Sequence, residues 1–190
     1  MNYLKSRDRR LGEVIDRMGP LEVEIMPDVF TALVFSIINQ QVSSKAADTV
    51  WARLLEMTGT MTPDTILAMD PELLQKCGTT HKKISYIQGI AEAVVTGRVD
   101  FHKLHHLSDH QVIKSLSSLY GIGPWTAEML LIFSLNRYDV VSYDDLAIRR
   151  GMMKLYGLDQ LPKEEFQRYR KRYSPYGSVA SLYLWELSVE

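Results

Sequence analysis

The amino-acid sequence predicts an all-α protein. Three observations carry that expectation. Apolar residues recur at i, i+3, i+4 spacing in segment after segment. Ser, Thr or Asp precedes many of these segments, and Gly or Pro punctuates their ends. The stretches that lean toward strand are short, Val23-Glu24-Ile25 and Asp139-Val140-Val141. The result is a series of helices of roughly 8–18 residues joined by short loops, with no internal repeat.

Taken in order, residues 3–18 read as a helix with Leu4, Leu11, Val14, Ile15 and Met18 on one side and Lys5, Arg7, Arg9 and Arg10 in its early part, a solvated face. Pro20 to Pro27 is a linker. Asp28 caps a helix from Val29 to about Gln41, in which Phe30, Leu33, Val34, Ile37 and Ile38 form a buried face. The amides Asn39, Gln40 and Gln41 end it. Ser43 or Ser44 caps the next helix, which runs to Thr58 and stops at Gly59, with Trp51, Leu54, Leu55 and Met57 as core. Thr62-Pro63 and Asp70-Pro71 each start a short helix, and Cys77-Gly78 ends the second. Helix 81–96 turns Ile84, Ile87, Ile90, Ala91 and Val94 inward. His102, His105, His106 and His110 gather around a loop; no glutamate or cysteine completes a metal-ligand spacing there, and a surface loop is the reading. Ser108 and Gln111 form a capping box for a helix ending near Tyr120. Another helix runs from Pro124 to about Leu135, and one spans 144–156. After Gly157, Pro162 starts a helix with Phe166 and Tyr169 inward and a basic run, Arg168, Arg170, Lys171 and Arg172, on its solvated face. The final helix, about 176–188, holds Val179, Leu182, Tyr183, Trp185 and Leu187.

The chain has 190 residues, enough for one domain or two small lobes with a real core. Its net charge of −1 does not advertise a nucleic-acid binder, although the distribution of charge matters more than its sum. A single cysteine, Cys77, excludes a disulfide within the chain and a four-cysteine iron–sulfur cluster. With no long apolar run and no signal-peptide pattern, an intracellular location is expected, with no membrane partner.

The stretch Leu119 to Gly151 organises the rest. Gly121 and Gly123 permit a tight turn. Pro124 suits the first helical position, and first-turn N–H groups, which lie outside the helical ladder, make a site for an anion such as a DNA phosphate. The same pentapeptide, Gly121 to Trp125, also makes a tight αα-corner with no ligand. Asp144 and Asp145 then fall at the first turn of helix 144–156, whose apolar members are Leu146, Ile148, Met152, Met153 and Leu155. One acid can cap the helix. A second is not needed for capping, and a carboxylate beside a phosphate grip repels DNA, so the pair calls for another reason.

Gly121-Ile122-Gly123-Pro124-Trp125-Thr126-Ala127, followed by Asp144-Asp145 at this distance, resembles the helix–hairpin–helix DNA glycosylase superfamily, and is most similar to its alkylbase branch, 3-methyladenine DNA glycosylase II. Three more segments agree: Phe30 to Val34 continuing through Ile38-Asn39-Gln40-Gln41-Val42-Ser43-Ser44-Lys45-Ala46-Ala47; Lys82 to Ile87 with Gly89-Ile90-Ala91; and Pro175 to Ala180 through Leu184-Trp185. The similarity runs over residues 28–187.

The resemblance implies two helical lobes with a cleft between them, containing the helix–hairpin–helix motif, approximately 28–110 for one lobe and 1–27 plus 111–190 for the other. It implies Asp145 as the catalytic carboxylate, with Asp144 as the cap. Trp125, Trp185, Tyr143 and Met129 fall on base-pocket positions. Met129 stands where some relatives have an aromatic residue, and Tyr143 where proline is common. Gln41, Ser43, Lys45, Gly121, Gly123, Trp125, Thr126 and Ala127 fall on DNA-contacting positions, Gln41 at the plug that fills the gap left by an extruded nucleotide. No cofactor is required, although the hairpin 118–123 of relatives often holds a monovalent cation on its carbonyls. Bifunctional relatives place a lysine two residues after the second hairpin glycine; Trp125 stands there, which implies hydrolysis without lyase chemistry. The expected partner is damaged double-stranded DNA, met as a monomer, in the cytoplasm or nucleoid of a prokaryote or the nucleus of a eukaryote. Readings that stay open are a glycosylase for oxidised or deaminated purines, a non-catalytic DNA-binding module, and a helical scaffold.

Overall fold

A computed structural model describes residues 1–190. It is all-α, without a strand. In order the helices are α1 (Asn2–Arg7), α2 (Arg9–Met18), α3 (Val29–Asn39), α4 (Ser44–Thr58), α5 (Pro63–Ala68), α6 (Pro71–Gln75), α7 (His81–Val95), α8 (Asp109–Leu116), α9 (Pro124–Phe133), α10 (Leu146–Tyr156), α11 (Lys163–Tyr173) and α12 (Gly177–Val189), with a 3-10 turn at Phe101–His106. No helix is long and apolar enough to cross a membrane. The chain forms two compact units, one of Met1–Glu24 with Asn136–Glu190 and one of Ile25–Leu135. Helices α8 and α9 therefore group with the middle helices. The reason is local: α9 packs on α3, and the Met26 N–H donates to the Phe133 carbonyl at 2.8 Å.

Within the middle unit, α3 is capped by Asp28, whose side chain accepts from the Thr31 N–H. Its residues Phe30, Leu33, Val34, Ile37 and Ile38 are buried as their spacing predicts. Helix α4 is capped by Ser43, not Ser44. Only Leu54 of its expected core set is fully inside; Leu55 and Met57 are exposed and Trp51 is half-buried, edge-on to Phe35 at 5.2 Å. A single buried stripe is all that a helix covered on one side needs. The capping box of Ser108 and Gln111 is present, but α8 stops at Leu116, so the turn before Gly121 is longer than the periodicity suggests.

In the terminal unit, the expected helix 3–18 is broken at Asp8. Its backbone is extended, and its carboxylate caps α2 by accepting from the Leu11 N–H at 3.0 Å. The same carboxylate accepts from the Tyr156 hydroxyl at 2.6 Å and from Arg172 at 3.1 Å. Asp8 is buried, and Tyr173, also buried, sits 2.9 Å from the Tyr156 oxygen. Two arginines of the basic run are thus structural: Arg172 holds Asp8, and Arg170 donates to the Asp139 carbonyl. The passage 137–141 is not a strand. Serines of α12 satisfy its backbone: Val140 N–H donates to Ser178 Oγ, while the hydroxyls of Ser178 and Ser181 donate to the Arg137 and Val140 carbonyls.

Burial, the neighbouring Tyr173 and the bond to Asp8 push the Tyr156 hydroxyl well above the ordinary tyrosine range, and burial does the same for Tyr173. In the unfolded chain both ionise near the ordinary value. The unfolded state therefore loses protons first, and stability that is intact below about pH 10 falls as pH rises, by up to about 1.4 kcal/mol per pH unit per group. Tyr156→Phe should lower stability by about 1–3 kcal/mol at neutral pH, because Asp8 loses a donor. Its urea midpoint should then decline less steeply than that of the wild type between about pH 9 and pH 11. Parallel slopes would show that the Tyr156 hydroxyl does not hold its proton through this network.

Candidate active site

The middle unit supplies a hairpin. After α8 the chain turns through Leu119, whose carbonyl accepts from the Ile122 N–H at 3.1 Å. Gly121 has φ +90°, open to glycine and strained for other residues. It also lies against Tyr86 of α7: a Cβ there would come 2.4 Å from the ring. The Gly121 carbonyl accepts from Gln40 Nε2 at 3.0 Å. Lys83 Nζ donates to the Ile38 and Gln40 carbonyls at 2.8 and 2.7 Å, closing the end of α3, and burial holds this ammonium below its ordinary pKa. Gln40 ends α3 in an extended conformation and Gln41 follows with φ +57°, exposed. Beside them runs an open groove of about 470 Å³ lined by Gln40, Gln41, Val42, Lys82, Lys83 and Tyr86.

Ser43 and Lys45 are exposed at the start of α4, Gly123 is exposed, and Trp125 is 45% exposed. Trp125 is therefore not packed in the core. Ala127 differs from expectation, and Thr126 can contribute only its backbone amide. Both side chains are buried, and the Ala127 N–H donates to the Gly123 carbonyl at 3.1 Å. Ala127 is already a member of the helical ladder, so its amide is not a phosphate donor; the first-turn amides of Trp125 and Thr126 precede that ladder. Met129 is half-buried.

The terminal unit supplies the carboxylate. Asp145, not Asp144, is the N-cap of α10. Its Oδ1 accepts from the Ala147 and Ile148 N–H groups at 2.8 and 2.9 Å, and the residue is 6% exposed. Asp144 is exposed. The cap falls on Asp145 because its extended φ and ψ place it at the half-in position directly before Leu146. Two amides thus fix the direction of the carboxylate. Leu146, expected inward, is 65% exposed. Tyr143 lies edge-on to Phe166 at 5.1 Å, with Arg149 4.8 Å and Lys163 5.7 Å from its ring centre. Two cations at one ring make Tyr143 a support for them; a cationic base would compete with both there. Trp185 is half-buried against the core of this unit. The four histidines show no shared cluster: His102, His105 and His106 are exposed on the 3-10 turn, and His110 is exposed on α8.

Gln40, Lys83 and Tyr86 escaped the sequence reading as site residues. The signal was present only as a pair: a glycine that must take a positive φ, and a Lys-x-x-Tyr row on a helix that the hydrophobic pattern had already oriented.

A hairpin of this form, followed in sequence by an aspartate that caps the next helix, points to a class. The chain belongs to the HhH-GPD superfamily of base excision DNA repair proteins, whose family description matches residues 34–175. More particularly, it is 34% identical over 185 residues to DNA-3-methyladenine glycosylase 1 of Schizosaccharomyces pombe, covering 95% of this chain and 81% of that protein. It is 30% identical to the DNA-3-methyladenine glycosylase of Saccharomyces cerevisiae, covering 86% of this chain and 68% of that protein. Among solved structures, a DNA-3-methyladenine glycosidase from Bacillus halodurans aligns with a TM-score of 0.88 at 36% identity, over 98% of this chain and 87% of that one. The S. pombe 3-methyladenine DNA glycosylase in complex with abasic DNA aligns with a TM-score of 0.83 at 33% identity, over 97% and 93%.

The two hairpin glycines make different demands, which sets a test. Gly121→Ala meets the Tyr86 ring and an unfavourable φ together, and should lower stability by about 2–4 kcal/mol. Gly123, with negative φ and open space around a Cβ, should tolerate alanine within about 1 kcal/mol. Chemical denaturation of both variants checks this; equal losses would show that contact with Tyr86 does not define the turn.

Proposed function

We propose that this protein is a monofunctional DNA glycosylase that hydrolyses the N-glycosidic bond of alkylated purines, of the 3-methyladenine type, in duplex DNA. The observation that carries the reading is the Asp145 carboxylate, buried and aimed by two backbone amides, at the second place of the family's acid pair. A base inside a duplex cannot be reached, so the nucleotide is first extruded. The hairpin amides grip phosphate through backbone N–H groups, which suits a chain with little net charge. Gln41, in its left-handed conformation, fills the gap. The extruded base carries a positive charge and stacks on indole, Trp125 being the exposed one. An N-alkylated purine leaves readily. The remaining task is to stabilise positive charge growing on the deoxyribose and to guide water to C1′, and one carboxylate can do both. The products are the free base and an abasic site. No amine stands at the Trp125 position, so no Schiff base forms there. No cofactor enters the chemistry. A monovalent cation would sit on hairpin carbonyls 118–123, two of which, those of Leu119 and Gly121, already accept bonds from Ile122 and Gln40. The protein acts as a monomer on damaged DNA inside the cell.

One observation favours a second reading: an aspartate that caps a helix needs no catalytic role, and a non-catalytic DNA-binding module would keep it. Asn caps a helix about as well as Asp. Asp145→Asn should therefore fold with stability within about 1 kcal/mol of the wild type. Its release of free base from methylated duplex DNA should fall by about 10²-fold or more. Equal release by both proteins removes Asp145 from the chemistry; a wild type that binds DNA and releases no base is the module. A wild type that releases oxidised or deaminated purines instead changes the substrate class.

Trp125→Ala removes a ring that is 45% exposed, so the loss of stability should stay within about 2 kcal/mol. With a cation–π contribution of about 0.5–2 kcal/mol, kcat/KM for a cationic base should drop about 2- to 30-fold. A neutral base such as hypoxanthine should be affected less. Equal losses for both bases would mean that the indole acts by shape alone.

A further inference from the structure

The terminal unit carries a positively charged hollow that the proposed chemistry does not use. It is open to solvent, about 630 Å³, and is lined by four arginines, Arg7, Arg9, Arg10 and Arg172, together with Tyr156 and Tyr169. Asp8 is the one acid in the lining, and its carboxylate is taken up by the Leu11 amide, the Tyr156 hydroxyl and Arg172. Two acids stand nearby, each already paired: Glu13 with Arg9 and Glu165 with Arg168. Four arginines against two carboxylates, Asp8 and Glu13, still mark a local positive excess in a chain whose net charge is −1.

The arginines divide into two kinds. Arg10 donates to the Tyr156 carbonyl and lies over the Tyr156 ring, and Arg172 lies 4.8 Å over Tyr169 and 5.7 Å over Tyr156. The two rings stack on each other at 3.8 Å. These two guanidiniums are held in place before any ligand arrives, which reduces the ordering a ligand must impose. Arg7 and Arg9 are different. They flank the break at Asp8 and are exposed, the Arg9 side chain at 93%. Arg9 pairs with Glu13 at 3.0 Å and Arg7 lies 6.0 Å over the Tyr3 ring, both at the surface, where such contacts add little to stability and leave the guanidinium forks open to water. The planar fork of arginine matches phosphate oxygens, and an open surface with several such forks suits a phosphate polymer better than a small enclosed anion.

We propose that this hollow is a second DNA-contact surface that takes backbone phosphates of the duplex, separate from the hairpin grip. The proposal rests on the reading that the protein works on DNA. A surface of this kind reads charge and not sequence.

The test uses the full chain and an undamaged duplex of about 20 base pairs, with binding followed by fluorescence anisotropy across a salt series. The variant Arg7→Ala/Arg9→Ala alters exposed groups, and its thermal midpoint serves as the folding control. If each arginine holds one phosphate, the slope of log K against log[salt] should become shallower by about 0.9 per contact, about 2 in all. Arg7→Lys/Arg9→Lys, which keeps the charge, should recover most of the wild-type slope. A slope unchanged in the alanine variant overturns the proposal. So does inorganic phosphate that raises the wild-type thermal midpoint, and not the variant's, while the DNA slopes coincide, since the site is then one for free phosphate. Base release by the wild type is measured in parallel. A slope that falls with the arginines supports the hollow even where no base is released, so failure of the glycosylase reading is told apart from failure of this one.

Discussion

The position of the Asp145 carboxylate depends on two helices that meet backbone to backbone. Gly151 of α10 has no room for a side chain: a Cβ would lie 1.9 Å from the Leu184 carbonyl oxygen of α12. Ile148 and Met152 flank that contact on α10 and are fully buried. Asp145 lies six residues before Gly151, about 9 Å along the axis, so the contact sets where the first turn and its cap come to rest. The approach to the cap is fixed to the same partner. Asp139 accepts from the Ser174 hydroxyl and the Gly177 N–H, and Gly177 leaves no space for a Cβ beside Asp139 and Val141. Chain entering the cap and helix leaving it are both pinned to α12. The role proposed for Asp145 would need this, because a small rotation would move the charge from its target.

The Asp8 network does comparable work at the far end of the same unit. A buried carboxylate is tolerated only when its charge and lone pairs are satisfied, and here an amide, a phenol and a guanidinium do so. Its partners come from α2, α10 and α11, so it ties the start of the chain to helices more than a hundred residues away. Such a network adds little net stability over an apolar core; its effect is that few other packings would satisfy it.

Much of this was legible in the sequence, for reasons that can be named. Helix existence followed from apolar spacing, and the caps at Asp28, Thr62, Asp70 and Ser108 are chemically determined by residues within a few positions. What escaped notice depended on distant partners. Asp8 sits in a segment with good helical spacing, and only the buried Tyr156 and Arg172 explain why it breaks there. The Asp139-Val140-Val141 stretch has strand-forming residues but no strand to pair with, so serines on α12 complete its backbone. The cap at Asp145 rather than Asp144 was undecidable from two adjacent acids, since either can be drawn in the half-in position. Arg170 and Arg172 look solvated in a basic run because sequence shows charge density and not reach.

In the middle unit the hairpin and the end of α3 are held to each other directly. Gln41 holds a left-handed backbone that disfavours any residue but glycine, on the order of 1 kcal/mol. Such a conformation lasts only if its flanks are over-determined. They are: Gln40 is bonded at both ends, its side chain to the Gly121 carbonyl and its own carbonyl to Lys83. Lys83 and Tyr86 lie three residues apart on α7, so one helix face closes the end of α3 and seats the hairpin glycine. Gly121 and Gln41 are therefore joined through a short chain of hydrogen bonds and one ring contact, with no flexible loop between them. Under the function proposed above, this connection would keep the residue filling the vacated space in fixed register with the phosphate contact. Two glutamines, a lysine and a tyrosine fix the hairpin against the end of α3, and the one ammonium among them is already bound to two carbonyls.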